Sequence, residues 1–444
     1  MIIGTKEIAL FATGIAGAVG AAFAWSKLSE SHGKQNDSTT TEAHHVDTGI
    51  ESNGSVINTA SAQAESELIN TINTIRLNAL FRRLNEISIN ESKASAEIIQ
   101  LKSEIEKIIN SNRGGSTGMH GFIGESCQVH IANTKSFMRG EKPLYVLLDD
   151  NSMTDYLCGM QFIQQKACQS DNHLGLDHIC NHMEKYPEFV EQGGVYQIPK
   201  DFYEKFIRMK NTSEDVALKF RKEDLRIWKA VHRFIESNPD VEIEPMEVTY
   251  DEIQAGKVSE TIKGVESSSE RKFNQQKTEA KNLYAPTVSE LLKIASISAL
   301  IEGTADGSAT LVSFLYKRKS INELDREDWI IVLKNFVAGS IRGAARACIV
   351  YILTNFFRLS STIASTASTL IFSIIKNTKE YLGQKKGKAE YYQSLVWDSL
   401  AVILSCIGAE IGKKVLKKNP VLGSIIGSCL FSGAANYSRK IIYA

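Results

Sequence analysis

Four pairs of glycines spaced four residues apart, Gly303/Gly307, Gly339/Gly343, Gly408/Gly412 and Gly423/Gly427, constrain the last third of this chain more than any other feature. Residues four apart share one face of a helix, and glycine there lets two helix backbones approach closely. Membrane helices pack this way when lipid provides no hydrophobic drive between them. Glycine inside a helix costs roughly 1 kcal/mol relative to alanine unless packing offsets it, so four pairs in apolar surroundings indicate selected contacts. The apolar runs carrying or flanking them are 291–315, 329–357, 359–375, 395–411 and 421–435. Residues 286–444 are therefore expected to form an apolar, glycine-rich, membrane-competent helical bundle.

Charges interrupt these runs. Glu302 and Asp306 lie in the first, Lys334, Arg342 and Arg346 in the second, and Asp398 and Glu410 in the fourth, with lysines clustered between runs at 385–388 and 413–418. An ionised side chain within a spanning helix is expensive and faces a bundle interior or a water path. The pattern allows a polar pore or a bundle that inserts when triggered, and it disfavours a constitutive transporter; a glycine-rich soluble helical domain is the plainer alternative. Lys+Arg and Asp+Glu balance at 51 each, so no global field steers nucleic acid or an acidic partner, and any such contact must be local. Seven cysteines without a C-x-x-C pair fit free thiols in a reducing compartment.

At the other end, residues 8–25 are apolar apart from threonine and glycine, with Lys6 before and Lys27 after, and their length fits one spanning helix within residues 1–28. Ala22-Phe23-Ala24 resembles a signal cleavage site, but Glu7 offsets Lys6, so an uncleaved anchor is expected. Residues 29–62 are polar and aperiodic, reading as a tether in which His44-His45 are solvated. Within 63–112, Leu68, Ile72, Ile75 and Ala79, then Leu101, Ile105 and Ile108, recur at spacings of three and four, a seam for a helical hairpin or coiled coil that joins copies of the chain. Residues 251–285 are charged, without a core pattern of their own, and read as a connecting helix or linker.

Residues 117–250 read as a small mixed α/β domain. Helices are expected over 122–138, 178–192 and 224–237, and strands over 144–148, 162–166 and 195–198; Pro199 opens a further helix. Cys168, His173, His178, Cys180 and His182 fall close together, and His178 and His182 have a helical zinc-ligand spacing, although surface histidines on a helix explain them equally. His120 and His130 lie near Glu125 in sequence.

Glu125 on an early helix, Asp155 at the start of a hairpin, a turn at Gly159, and Gln164 and Lys166 on the returning strand form one ordered constellation. It resembles the active-site core of the PD-(D/E)xK nuclease superfamily. The resemblance implies that Asp155 and Gln164, with Glu125 assisting, hold Mg²⁺ while Lys166 orients or activates the attacking water. Phosphodiester hydrolysis needs a cation on hard oxygen ligands, and Gln164 and Lys166, two apart on a strand, share a face. Thr154 replaces the family's proline, and glutamine replaces the commoner glutamate at 164.

The layout of anchor, nuclease-like core and glycine-paired tail also resembles, loosely, membrane-acting effectors of bacterial anti-phage defence, the Hailong-type channel proteins. That resemblance implies a homo-oligomer in the bacterial inner membrane, with lipid around its last block and a nucleic-acid or oligonucleotide ligand on a cytoplasmic central domain. The expectation is thus an α+β multidomain chain: N-terminal membrane helix, coiled-coil segment, nuclease-like domain, linker and membrane bundle. Three functions stay open: a gated pore, a membrane-anchored Mg²⁺-dependent nuclease, and a membrane scaffold without ligand.

Overall fold

The computed structural model describes residues 48–148, 152–169, 174–318 and 321–443. The expected anchor, the first part of the tether with His44-His45, and His173 lie outside the described residues. The chain divides into a helical unit, residues up to Asn78 together with those from Ala285 onward, and an α/β unit, Ala79–Tyr284. Helix α1 (Thr48–Asn110) contributes to both. The 63–112 segment is therefore not a hairpin, and helix begins well inside the expected tether.

The α/β unit contains α2 (Gly115–Arg139), β1 (Tyr145–Leu147), β2 (Tyr156–Cys158), β3 (Gln161–Gln165), α3 (Leu176–Lys185), α4 (Glu188–Glu191), β4 (Val195–Ile198), α5 (Lys200–Lys210), α6 (Glu214–Ala217), α7 (Lys222–Ser237), β5 (Ile243–Pro245) and α8 (Val258–Leu283). The sheet runs β1-β2-β3-β4-β5; the first three strands are antiparallel, and β3, β4 and β5 are parallel. The helix expected over 178–192 is interrupted at Tyr186-Pro187, as proline disfavours helix at the residue before it. Adjacent β4 residues point to opposite faces. Val195 packs with Val129 of α2, Tyr156 and Ile163, whereas Tyr196 and Ile198 pack with α3, α4, α5 and α7 through Ile179, Phe189, Phe202 and Val231.

Most seam residues of α1 pack inside the chain: Leu101, Ile105 and Ile108 against Ile123, Cys127, Val258 and Ile262, and Leu68 and Ile72 with Ile294 and Val350, whereas Ile75 is exposed. The supposed linker is the ordered helix α8, whose buried Val258, Ile262, Phe273 and Ala280 are diluted among charged neighbours.

The helical unit adds α9 (Val288–Arg318), α10 (Arg326–Asn355), α11 (Ser361–Leu382), α12 (Lys388–Val415) and α13 (Pro420–Tyr443). Asp325 and Asp328 form a reciprocal capping box at the start of α10, and the Ser360 hydroxyl accepts from Ile363 N–H at the start of α11. The glycines do what their spacing requires. A methyl group at Gly339 would sit 2.7 Å from the Glu302 carbonyl oxygen, and one at Gly307 would lie 3.3 Å from Phe336 Cβ, so α9 and α10 are pressed together through both pairs. Gly408 faces Gly427 and Gly412 faces Gly423, backbone against backbone, between α12 and α13.

What this unit buries is unusual. Gly339, Gly343, Ser298, Glu302, Arg346, Ser368, Ser424, Ser428 and Ser432 are inside, while Leu333, Ile341, Phe356, Val396, Ile403 and Ile411 are exposed. Among the described residues, α10 and α12 are long and apolar enough to cross a membrane, with mean hydropathy 1.5 and 1.6. Only 33% and 28% of the residues in those stretches are buried, unlike the core helices of a water-soluble protein. Charge, serine and threonine in the other three runs lower their hydropathy, which leaves two qualifying helices where five apolar runs were expected.

Candidate functional site

The β2–β3 hairpin places the motif. Gly159, at φ +62°, makes the turn, a backbone region L residues rarely adopt. Ahead of β2, Asp155 N–H donates to Ile163 O at 3.0 Å, so Asp155 continues the strand ladder opposite the motif. Its Oδ2 accepts from Gln165 N–H at 2.7 Å and from the Gln164 amide Nε2 at 2.5 Å. Lys166 N–H donates to Gln197 O at 2.8 Å, holding the end of β3 against β4. Asp155 and Gln164 are thus in direct contact, and Lys166 lies within electrostatic reach of Asp155 and Glu125. Three of the four predicted residues, Asp155, Gln164 and Lys166, thus lie at one end of the hairpin, and Glu125 on α2 acts on Lys166 through its charge.

Electrostatics there are governed by desolvation. Burial pushes the Asp155 carboxyl above its ordinary range, against the opposing pull of Lys166 and the two N–H donors. Burial likewise pushes the Lys166 ammonium down, against Asp155, Cys168 and Glu125. The charge pair is held in a medium that weakens both charged forms, as partial burial does.

A magnesium centre does not fit the donor set as it stands. The strand-facing oxygen of Asp155 is taken by two N–H donors, and Gln164 turns an N–H group toward it. Glu125 is engaged as well. Among the described residues, no three His, Cys, Asp or Glu side chains group closely enough to hold a metal ion. That bears equally on the zinc spacing: His182 Nε2–H donates to Met153 O at 3.1 Å, which leaves Nδ1 to accept from the Tyr196 hydroxyl at 2.8 Å.

His182 is the positioning residue that motif reasoning misses. It ties α3 and β4 to the loop that delivers Asp155, and Phe189 and Tyr196 pack edge-on against its ring. Burial, reinforced by Lys166, pushes its pKa down to about 4, so it works as a neutral ring. The sequence signal was present in His182 itself, but its partner Tyr196 is remote in the chain. His120 lies against the Ala167 backbone at the end of the motif strand, edge-on to Tyr250 at 5.3 Å, and Tyr250 stacks on Phe202 at 5.1 Å. His130 is elsewhere: its Nδ1 lies 2.6 Å from Glu97 and its Nε2 3.1 Å from Glu104, both on α1.

No family model, curated protein or solved structure matches the chain.

Proposed function

We propose that this protein is a membrane-acting effector, a pore or channel of a bacterial anti-phage defence system, gated by a nucleic-acid or nucleotide ligand on the α/β unit. The observation that carries the membrane reading is the surface of the helical unit, where Leu333, Ile341, Phe356, Val396, Ile403 and Ile411 are exposed. Inside, paired glycines, serines and ion pairs share the interior with an apolar cluster at Leu68, Ile301 and Val350; lipid favours such an apolar exterior and water penalises it. The ion pairs follow the same logic: Arg342 meets Asp306 at 2.7 Å, and the fully buried Arg346 contacts Glu302.

The ligand reading rests on Lys166 beside Asp155 and Gln164, with the Tyr250–Phe202 stack at the strand's end as a platform for a base. The donor set favours binding over cutting, because a metal-dependent reaction lacks a ready cation cradle. The defence setting, the inner membrane with the α/β unit in the cytoplasm, and homo-oligomerisation follow from the resemblance in layout.

The test measures membrane potential and plasmid integrity side by side in cells expressing wild type, Asp155→Ala/Lys166→Ala, and Gly339→Leu/Gly343→Leu. Depolarisation with intact DNA, abolished by the glycine changes, supports the pore. DNA loss before any change in potential, abolished by the Asp155/Lys166 pair, would replace it with an anchored nuclease.

A further inference from the structure

Residues 61–69 of α1 are buried without a break. A helix lying on a bundle exposes one face; a helix with no exposed face is surrounded. Its neighbours identify the surroundings. Glu65 lies 4.0 Å from Arg346 of α10, Ser365 of α11 donates to Ala62 O at 3.0 Å, Lys413 of α12 meets Glu67 at 2.6 Å, and Gln63 donates to Ser424 of α13 at 2.6 Å. Ala64 packs with Ala305 of α9 and Ile425 of α13, which closes the circle. All five C-terminal helices therefore touch this one segment.

The segment is also the wrong composition for a core. An axial helix chosen for packing would be aliphatic throughout; here Leu68 and Ile69 join an apolar cluster, but the turn before them carries Gln63, Glu65, Ser66 and Glu67. Polar groups there are incompletely satisfied: both carboxylate oxygens of Glu65 and the Ser66 hydroxyl, with those of Ser298 on α9 and Ser368 on α11, are buried without a hydrogen-bond partner. Buried polar groups are nearly always bonded to protein or to ordered water, so this axis suits water and ions better than it suits packed side chains.

We propose that residues 61–69 are a plug, and that their withdrawal opens a polar conduit for small inorganic anions along the axis of the five-helix ring. This rests on the pore reading above. Withdrawal removes the carboxylates of Glu65 and Glu67. These acidic groups face Arg346 and Lys413, which stay on the ring, so the path gains positive character. Arg342 and Asp306 neutralise each other, and Glu410, the second partner of Lys413, is half exposed.

The experiment reconstitutes the full chain in liposomes and follows chloride efflux with an entrapped dye, with potassium efflux in parallel. Gln63→Ala/Glu67→Gln, which removes the Gln63–Ser424 hydrogen bond and the charge of the Glu67–Lys413 pair, is expected to raise chloride efflux about tenfold over wild type. Adding Ala62→Cys/Ser365→Cys and oxidising is expected to return it to the wild-type rate, and reduction to restore it, a reversal that a misfolded variant cannot give. Unchanged efflux in both variants, alongside depolarisation of cells by the wild type, would overturn the plug and leave the pore standing. Potassium efflux exceeding chloride would overturn the assignment to anions. Absence of depolarisation by the wild type, together with tight liposomes for every variant, would overturn pore and plug together.

Discussion

In the α/β unit the largest buried side chains include Ile123, Ile163, Phe189 and Tyr196, beside hydrogen-bonded polar groups such as His182 and Gln197; in the helical unit Ser298, Glu302, Arg346, Ser424 and the paired glycines are buried alongside Leu68, Ile301 and Val350. The first unit is organised by apolar burial, the ordinary driving force in water. The second buries an apolar cluster around Leu68, Ile72, Ile294, Ile301 and Val350, but it also leaves many large aliphatic residues exposed and gives much of its interior to close backbone contact and charge pairing. The contrast also assigns different vulnerabilities: loss of apolar volume should harm the first unit, and loss of a charge partner or gain of volume the second.

The sharpest test of that contrast is Arg346→Ala. It strands Glu302 and the nearby Glu65 in a buried setting and should destabilise the helical unit by about 3–5 kcal/mol, read by unfolding in detergent micelles. Arg346→Met/Glu302→Leu should recover most of the loss, since removing both partners of a buried pair is often neutral; no recovery would mean that the pair is not an isolated electrostatic unit. Next is Gly412→Leu, which sets a side chain against the Gly423 backbone and should cost about 1–3 kcal/mol or more. In the α/β unit, Ile163→Val removes one methylene from a packed interior and should cost about 0.5–1.5 kcal/mol, with no effect on the bundle.

The α/β unit also carries pH dependences of its own, where two histidines have opposite signs. Burial alone would lower the pKa of His130, but hydrogen bonds to Glu104 and Glu97 prevail and raise it from 6.5 to about 9. Its contribution is fully present below pH 6.5 and lost as pH rises through about 9. His182, held down near 4, acts in reverse: stability is lost as pH falls below 6.5 and the loss levels off below about 4. Melting of His130→Gln should therefore flatten the alkaline limb alone, and His182→Gln the acid limb alone. A variant that shifts both limbs equally would contradict the assignment.

Much of this organisation was legible in the residues. Small residues at four-residue spacing placed the α9–α10 and α12–α13 contacts, because only glycine allows that approach. Aliphatic clusters placed β1, β3 and β4 to within a residue or two, and the spacing of Asp155, Gly159 and Gln164 anticipated a hairpin that brings Asp155 against Gln164. Strand β5 was not legible, since Ile243-Glu244-Pro245 offers one aliphatic residue and ends in proline, which is uncommon in a strand interior. Segment 61–69 was hidden for a different reason: Gln63, Glu65, Ser66 and Glu67 read as solvated, and only Arg346, Ser365, Lys413 and Ser424, some 280–360 positions away, explain their burial. Helix α8 was obscured by charged residues between its few inward positions.

The central claim, that the exposed aliphatic face of the helical unit is a lipid face, is tested most directly by spin labels at Ile341 and Ile403 in the liposome-reconstituted full chain. Both side chains are exposed, on the two helices that qualify as spans. The account predicts high collision rates with oxygen and low rates with a water-soluble nickel chelate at both positions. High nickel accessibility at both, in the reconstituted protein, would contradict it.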